Sequence, residues 1–138
     1  VNPLLKRLDV AVLFVADLQR AKSFYQDTLG LAVHFEDDSS VAFNLDPVLL
    51  ILLTSDSARD LLTPDAIASP PRAGTGSQLV SFVDDVDAVY AELSAKGVEF
   101  VREPIDRDWG LRTAHFKDPD GNIWEIAHSL EKGSDQGQ

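Results

Sequence analysis

The chain writes one arrangement of elements twice. Residues 8–15 (LDVAVLFV) are a short apolar run rich in β-branched side chains, which reads as a buried strand. Asp17 follows at a natural N-cap; Leu18, Ala21, Phe24, Tyr25 and Leu29 recur at helical spacing, and Gly30 supplies the stop. Three strand-like stretches come next, at 31–35, 41–45 and 48–54, separated by Asp37-Asp-Ser-Ser40 and by Asp46-Pro47. From residue 77 the order returns: a strand over 77–83, then Asp84-Asp85 capping a helix that carries Val86, Val89, Tyr90 and Leu93. Gly97 ends that helix, and strands follow at 98–101, 111–117 and 123–127. Asp17 and Asp85 hold the same place, each shortly after a valine that closes a strand. Two βαβββ repeats explain this better than two unrelated runs of elements. The expected fold class is α+β.

Between the repeats the character changes. Residues 57–62 suit one or two helical turns, and Ser69-Pro-Pro-Arg-Ala-Gly-Thr-Gly76 is a Pro/Gly-rich connector. Neither half has enough residues to bury a sheet face independently, so one domain over 1–130 is expected: repeat one at 8–54, a linker at 55–76 and repeat two at 77–129. The polar residues 131–138 read as a disordered tail.

Charge and composition exclude several functions. Twelve Lys and Arg stand against 23 Asp and Glu, a net charge of −11, and the basic residues do not cluster, which argues against nucleic acid as a partner. The acidity itself reads as solubility, with a field that draws cationic ligands as the sharper alternative. With no cysteine there is no disulfide, thiolate metal site or thiol nucleophile. The longest apolar run, 48–53, has strand length and does not span a membrane. Residues 1–7 lack an apolar signal region, so a cytoplasmic location is expected.

Two motifs sit one in each half. The first is Asp17-Leu-Gln-Arg-Ala-Lys-Ser-Phe-Tyr-Gln-Asp-Thr-Leu-Gly30; the second is Trp109-Gly-Leu-Arg-Thr-Ala-His-Phe-Lys-Asp-Pro-Asp-Gly-Asn-Ile-Trp-Glu125. Together with Val83-Asp-Asp-Val-Asp87 they resemble the glyoxalase / bleomycin-resistance / extradiol dioxygenase (vicinal oxygen chelate) superfamily over residues 8–129, nearly the whole chain. The resemblance implies an open, curved mixed sheet with a concave ligand cavity, and a homodimer. In metal-dependent members it implies ligands on the first and last strand of each half. Counting seven residues back from the two capping aspartates gives Val10 and Gln78. The last strand of the second half offers Glu125, and its first-half counterpart falls within 49–52, where every residue is aliphatic.

Strand parity adds one more donor. If Phe116 faces the helix, then Leu111, Thr113 and His115 face the cavity, and His115 joins Gln78 and Glu125 as a tentative, incomplete metal set. A hydrogen-bonded polar patch on a cavity wall is the plainer reading of the His115–Glu125 pair. The same parity brings Val10, Val12 and Phe14, then Gln78, Val80 and Phe82, then Ile123 and Glu125 to the concave face. The expected ligand-binding residues are therefore Phe14, Gln78, Phe82, Trp109, His115 and Glu125. Trp109 suits stacking on a planar ligand or packing at a loop or dimer interface. Glu125, desolvated in an apolar cavity, is the candidate catalytic base, although no nucleophile or oxyanion hole accompanies it. Phe24, Tyr25 and Trp124 read as core, Arg112 as the partner of a carboxylate, and His34 and His128 as surface groups.

The expected function is thus sequestration of a small planar or aromatic molecule without a complete metal site. The alternative is a metal-dependent lyase, isomerase or dioxygenase using Gln78, His115 and Glu125.

Overall fold

The computed structural model describes residues 3–67 and 76–131. The chain divides at the connector into two compact units, Val1–Pro70 and Pro71–Gln138. The boundary falls where the Pro/Gly-rich segment was read; residues 68–75 of that linker, and 132–138 of the tail, lie outside the described residues.

In the first unit, strand β1 (Val10–Val15) leads to helix α1 (Leu18–Ser23), which runs on through a π-type turn over Phe24–Thr28. Asp17 caps it as expected, its carboxylate accepting from the Arg20 amide at 3.0 Å. Strands β2 (Ala32–Glu36), β3 (Ser40–Leu45) and β4 (Val48–Thr54) follow, and α2 (Ser55–Leu61) closes the unit with a short 3-10 turn at Pro64–Ala66. The sheet order is β1-β4-β3-β2, with β1 parallel to β4 and the other pairs antiparallel. Its helix-facing side buries Val15, Val41, Phe43, Leu50 and Leu52 against Ala21 and Tyr25.

The second unit repeats this plan. Strand β5 (Gln78–Phe82) precedes α3 (Val86–Ala95), whose N-cap Asp85 accepts from the Ala88 amide at 3.1 Å. Then come β6 (Phe100–Asp106), β7 (Leu111–Lys117) and β8 (Ile123–Ser129), in the order β5-β8-β7-β6. An aromatic ladder fills the space under α3: Tyr90 meets Phe100 edge-on at 4.6 Å, Phe100 lies 5.5 Å from Phe116, and Phe116 stacks on Trp124 at 6.4 Å. Phe116 and Trp124 are thus core, as parity required, and their strand neighbours turn to the opposite face.

The 118–122 turn joins β7 to β8 through its own hydrogen bonds. Buried Asp118 accepts from the amides of Asp120 and Asn122 at 2.9 and 2.8 Å and from the Asn122 side chain at 2.9 Å, while Gly121 takes φ 89°.

Two expectations need correction. The strand expected at 98–101 is β6, which runs on to Asp106 through Pro104. β6 is an edge strand and its register shifts between Arg102 and Ile105, so a residue without an amide proton costs no ladder bond there. His128 is not a surface group. It is half-buried, and its Nδ1 accepts the Val86 amide proton at 2.8 Å, satisfying a donor in the first turn of α3.

Candidate functional site

Of the six expected ligand-binding residues, the second unit brings four, Gln78, Phe82, His115 and Glu125, onto one face of its sheet, the face opposite α3. The registers Val80↔Glu125, Glu125↔His115 and His115↔Arg102 form one row across all four strands. The next row is Phe82, Ala127, Thr113 and Ile105, and the row on the other side holds Gln78 and Ile123. Apolar side chains frame the row in the open: Val80 is 47% exposed and Phe82 38%.

At its centre three side chains meet on one oxygen. Glu125 Oε1 lies 2.9 Å from His115 Nε2 and accepts from Gln78 Nε2 at 3.3 Å. The His115 and Glu125 side chains are only 16% and 15% exposed, so the pair works in a shielded setting. The second ring nitrogen of His115, Nδ1, takes no part in that contact. That Nδ1 is buried and has no hydrogen-bond partner. A buried polar atom left bare costs about 1–3 kcal/mol, and such atoms call for an explanation in a native structure.

Trp109 stands in the β6–β7 loop, 68% exposed. The loop is tight: the Arg107 amide donates to Leu111 O at 2.7 Å, the Gly110 amide to Arg107 O at 3.1 Å, and Gly110 takes φ 89°. An indole this exposed at the end of an ordered turn leaves most of its face open to solvent. Phe14 belongs to β1 of the first unit, half-buried and paired in register with Leu53.

Three features were not read from the sequence. Arg107 donates through Nε to Thr113 Oγ1 at 3.0 Å and sits 5.7 Å from the Trp109 ring. A bulge at Val101 turns Arg102 to the side of His115. Arg112, expected to pair with a carboxylate, pairs with two: bidentate to Asp87 at 2.9 Å and through Nη1 to Asp106 at 2.8 Å. This tie, with Asp87 on α3 and Arg112 on β7, holds the helix to the sheet. The guanidinium keeps the Asp87 carboxyl below the usual carboxylate range, against the opposing effect of desolvation.

Gln78, His115 and Glu125 converge, but one of them is an amide, and among the described residues no three His, Cys, Asp or Glu are grouped to hold an ion. The register also identifies the first-unit positions that correspond to them. Gln78 pairs with Ile123 as Val10 pairs with Leu49, Val80 with Glu125 as Val12 with Ile51, and His115 with Glu125 as Ala42 with Ile51. The counterpart of Glu125, placed within 49–52 by counting, is Ile51.

The repeated βαβββ plan is the one the two sequence motifs implied, and comparison with known proteins agrees. Residues 7–126 match the model of the Glyoxalase/Bleomycin resistance protein/Dioxygenase superfamily, and the chain belongs to that superfamily. The uncharacterised protein YraH of Bacillus subtilis is 33% identical over 121 residues, covering 86% of this chain and 94% of its own. Among solved structures, a glyoxalase/bleomycin resistance protein/dioxygenase from Nocardioides superposes with a TM-score of 0.84 at 26% identity, covering 100% of this chain and 92% of its own. A lactoylglutathione lyase from Agrobacterium tumefaciens shares the fold, with a TM-score of 0.70 at 20% identity over 95% of this chain and 99% of its own. No helix among the described residues is long and apolar enough to cross a membrane.

Proposed function

We propose that the protein binds a small planar or aromatic molecule on the open face of its second sheet, and that it does so without a complete metal site. The observation that carries this reading is the sharing of Glu125 Oε1 by Gln78 and His115 within an apolar frame of Val80 and Phe82. A few convergent polar groups in apolar surroundings fix a ligand's orientation while its flat body supplies contact area. Trp109 gives that body a stacking surface. Sequestration needs nothing more than this; antibiotic-like aromatic compounds are the class to try. Isothermal titration of the purified protein against a panel of aromatic antibiotics and smaller planar aromatics tests it. At least one saturable binding isotherm that the Glu125→Gln variant loses is expected. A flat titration across the panel would sink the reading.

A second reading, a metal-dependent lyase, isomerase or dioxygenase, has one observation in its favour: two side chains of ligating type, Gln78 and His115, lie within 3.3 Å of one oxygen of a third, Glu125. Elemental analysis of protein purified without chelator separates the two. Near-stoichiometric zinc, manganese, nickel or iron that Glu125→Ala removes favours the enzyme, and its absence, with no metal-induced rise in melting temperature, favours sequestration.

A further inference from the structure

Arg107 is engaged differently from Arg112. Arg112 spends Nε and both terminal nitrogens on Asp87 and Asp106. Arg107 is half-buried and spends only Nε, on the hydroxyl of Thr113, a side chain 1% exposed on the open face of β7. Its guanidinium carbon lies 5.7 Å from the Trp109 ring. Among the described residues no hydrogen bond or ion pair engages its two terminal nitrogens, although acidic residues outnumber basic ones 23 to 12 in the chain. Of its two acidic neighbours in sequence, Asp106 is taken by Arg112 and Asp108 forms no ion pair with it. A guanidinium held at Nε, with its carbon over an aromatic ring and its outer fork unspent, is prepared for a planar two-oxygen anion.

Its position relates it to the pair already described. Thr113 and His115 are two residues apart on β7 and share a face, so the Arg107 anchor and the Glu125–His115 pair lie about 7 Å apart along the strand. One end of the face presents an arginine fork and the other a carboxylate–imidazole pair, with Trp109 at the arginine end.

Building on the proposed binding function, we propose that the ligand is a small planar carboxylic acid. Its carboxylate docks on the terminal nitrogens of Arg107, its flat body lies along the face beside Trp109, and a hydrogen-bond donor at its far end meets Glu125. Arg107 is then a specificity-determining residue for an anion. The ligand is negatively charged even though the protein is acidic, so the local fork overrides the mean field.

The test uses the full chain labelled with nitrogen-15 and follows the Trp109 indole N–H by NMR. 4-Hydroxybenzoate and 4-hydroxybenzamide serve as probes, alike in shape and differing in charge. The acid is expected to bind at least about tenfold more tightly than the amide. Arg107→Gln should bring the two to within about twofold, and Thr113→Val, which frees the guanidinium without removing its charge, should narrow the ratio partway. Lys96→Gln removes one positive charge from the same unit and should leave the ratio as it is. A variant whose amide spectrum is no longer dispersed is replaced by Arg107→Lys, which keeps the charge without the fork and should also narrow the ratio. Equal binding of acid and amide, or a preference that survives Arg107→Gln, overturns the anion proposal and leaves the planar-ligand reading standing. If neither probe nor any uncharged planar compound perturbs Trp109, both fall together.

Discussion

The two sheets of this protein are laid out on the same register and differ in what they put on their open faces. Where the second sheet has Gln78, His115 and Glu125, the first has Val10, Ala42 and Ile51. Even the irregularities repeat: β2 slips between Val33 and Phe35 as β6 slips between Phe100 and Arg102, so Phe35 occupies the place of Arg102. The helix-facing sides stay alike in kind, with Phe43 beside Leu50 in one and Phe116 beside Trp124 in the other. Packing against a helix calls for apolar side chains on that side in both copies, whereas the open side carries no such demand. The polar cluster therefore stands in one copy of a repeated frame, and aliphatic side chains hold the same positions in the other.

The largest predicted difference concerns the hairpin turns. Asp118 is 4% exposed and accepts three hydrogen bonds that hold the β7–β8 turn. Asp118→Ala strands those donors and is expected to lower stability by about 3 kcal/mol, read from the urea midpoint. In the β3–β4 turn Asp46 is exposed and makes no hydrogen bond among the described residues, so Asp46→Ala should change stability by no more than about 0.5 kcal/mol. Equal losses would mean that the two turns carry the same load and that the Asp118 bonds contribute little.

The next prediction makes the second sheet read like the first. The triple substitution Gln78→Val, His115→Ala, Glu125→Ile should weaken binding of any planar compound by at least about tenfold. Stability should stay within about 1 kcal/mol of the parent, since replacing a shielded polar pair by apolar groups is often neutral or better. Thermal melts and titrations on the same protein decide it. A large loss of stability would show that the polar cluster holds the sheet together, and the comparison of a working face with a folding face would be wrong.

How much of this was open to reading from the residues follows the range of the interactions involved. The caps at Asp17 and Asp85, the stops at Gly30 and Gly97, the 118–122 turn and the alternation that sends Phe116 and His115 to opposite faces are local, and the chain states them within a few positions. Parity alone brought His115 next to Glu125, because a hairpin fixes its own register. What stayed hidden depends on irregularity or distance. The bulge at Val101 decides that Arg102 faces His115, and no turn residue announces it. The Pro104 in β6 reads as a strand breaker until the strand is known to lie at an edge. His128 meets the Val86 amide across 42 positions, and the Arg107–Thr113 bond depends on how the β6–β7 loop folds back. Those contacts are set by tertiary packing, which single-sequence periodicity does not encode.

The smallest predicted effect separates the units by the origin of one acidic group in each. Asp37, in the β2–β3 turn, is held below the ordinary value of 3.8 chiefly by the Ser39 amide and the Ser40 hydroxyl. Asp87 is held below the same value chiefly by its hydrogen bonds to Arg112, with the guanidinium's charge adding to them. Because both folded pKa values are depressed, each group adds stability that is present above pH 3.8 and lost as the pH falls through its folded value. Salt distinguishes the two sources. At about 1 M ionic strength the screening length shrinks to about 3 Å, which weakens an exposed charge pair far more than hydrogen bonds inside a turn. Following both side-chain carboxyl carbons by NMR from pH 6 downward, in low and high salt, the Asp87 midpoint should move up toward the ordinary value while that of Asp37 holds still. Arg112→Gln should move Asp87 in the same direction without salt. If Asp37 shifts as much as Asp87, its depression comes from the protein's overall field, and the first unit is less locally determined than its hydrogen bonds imply.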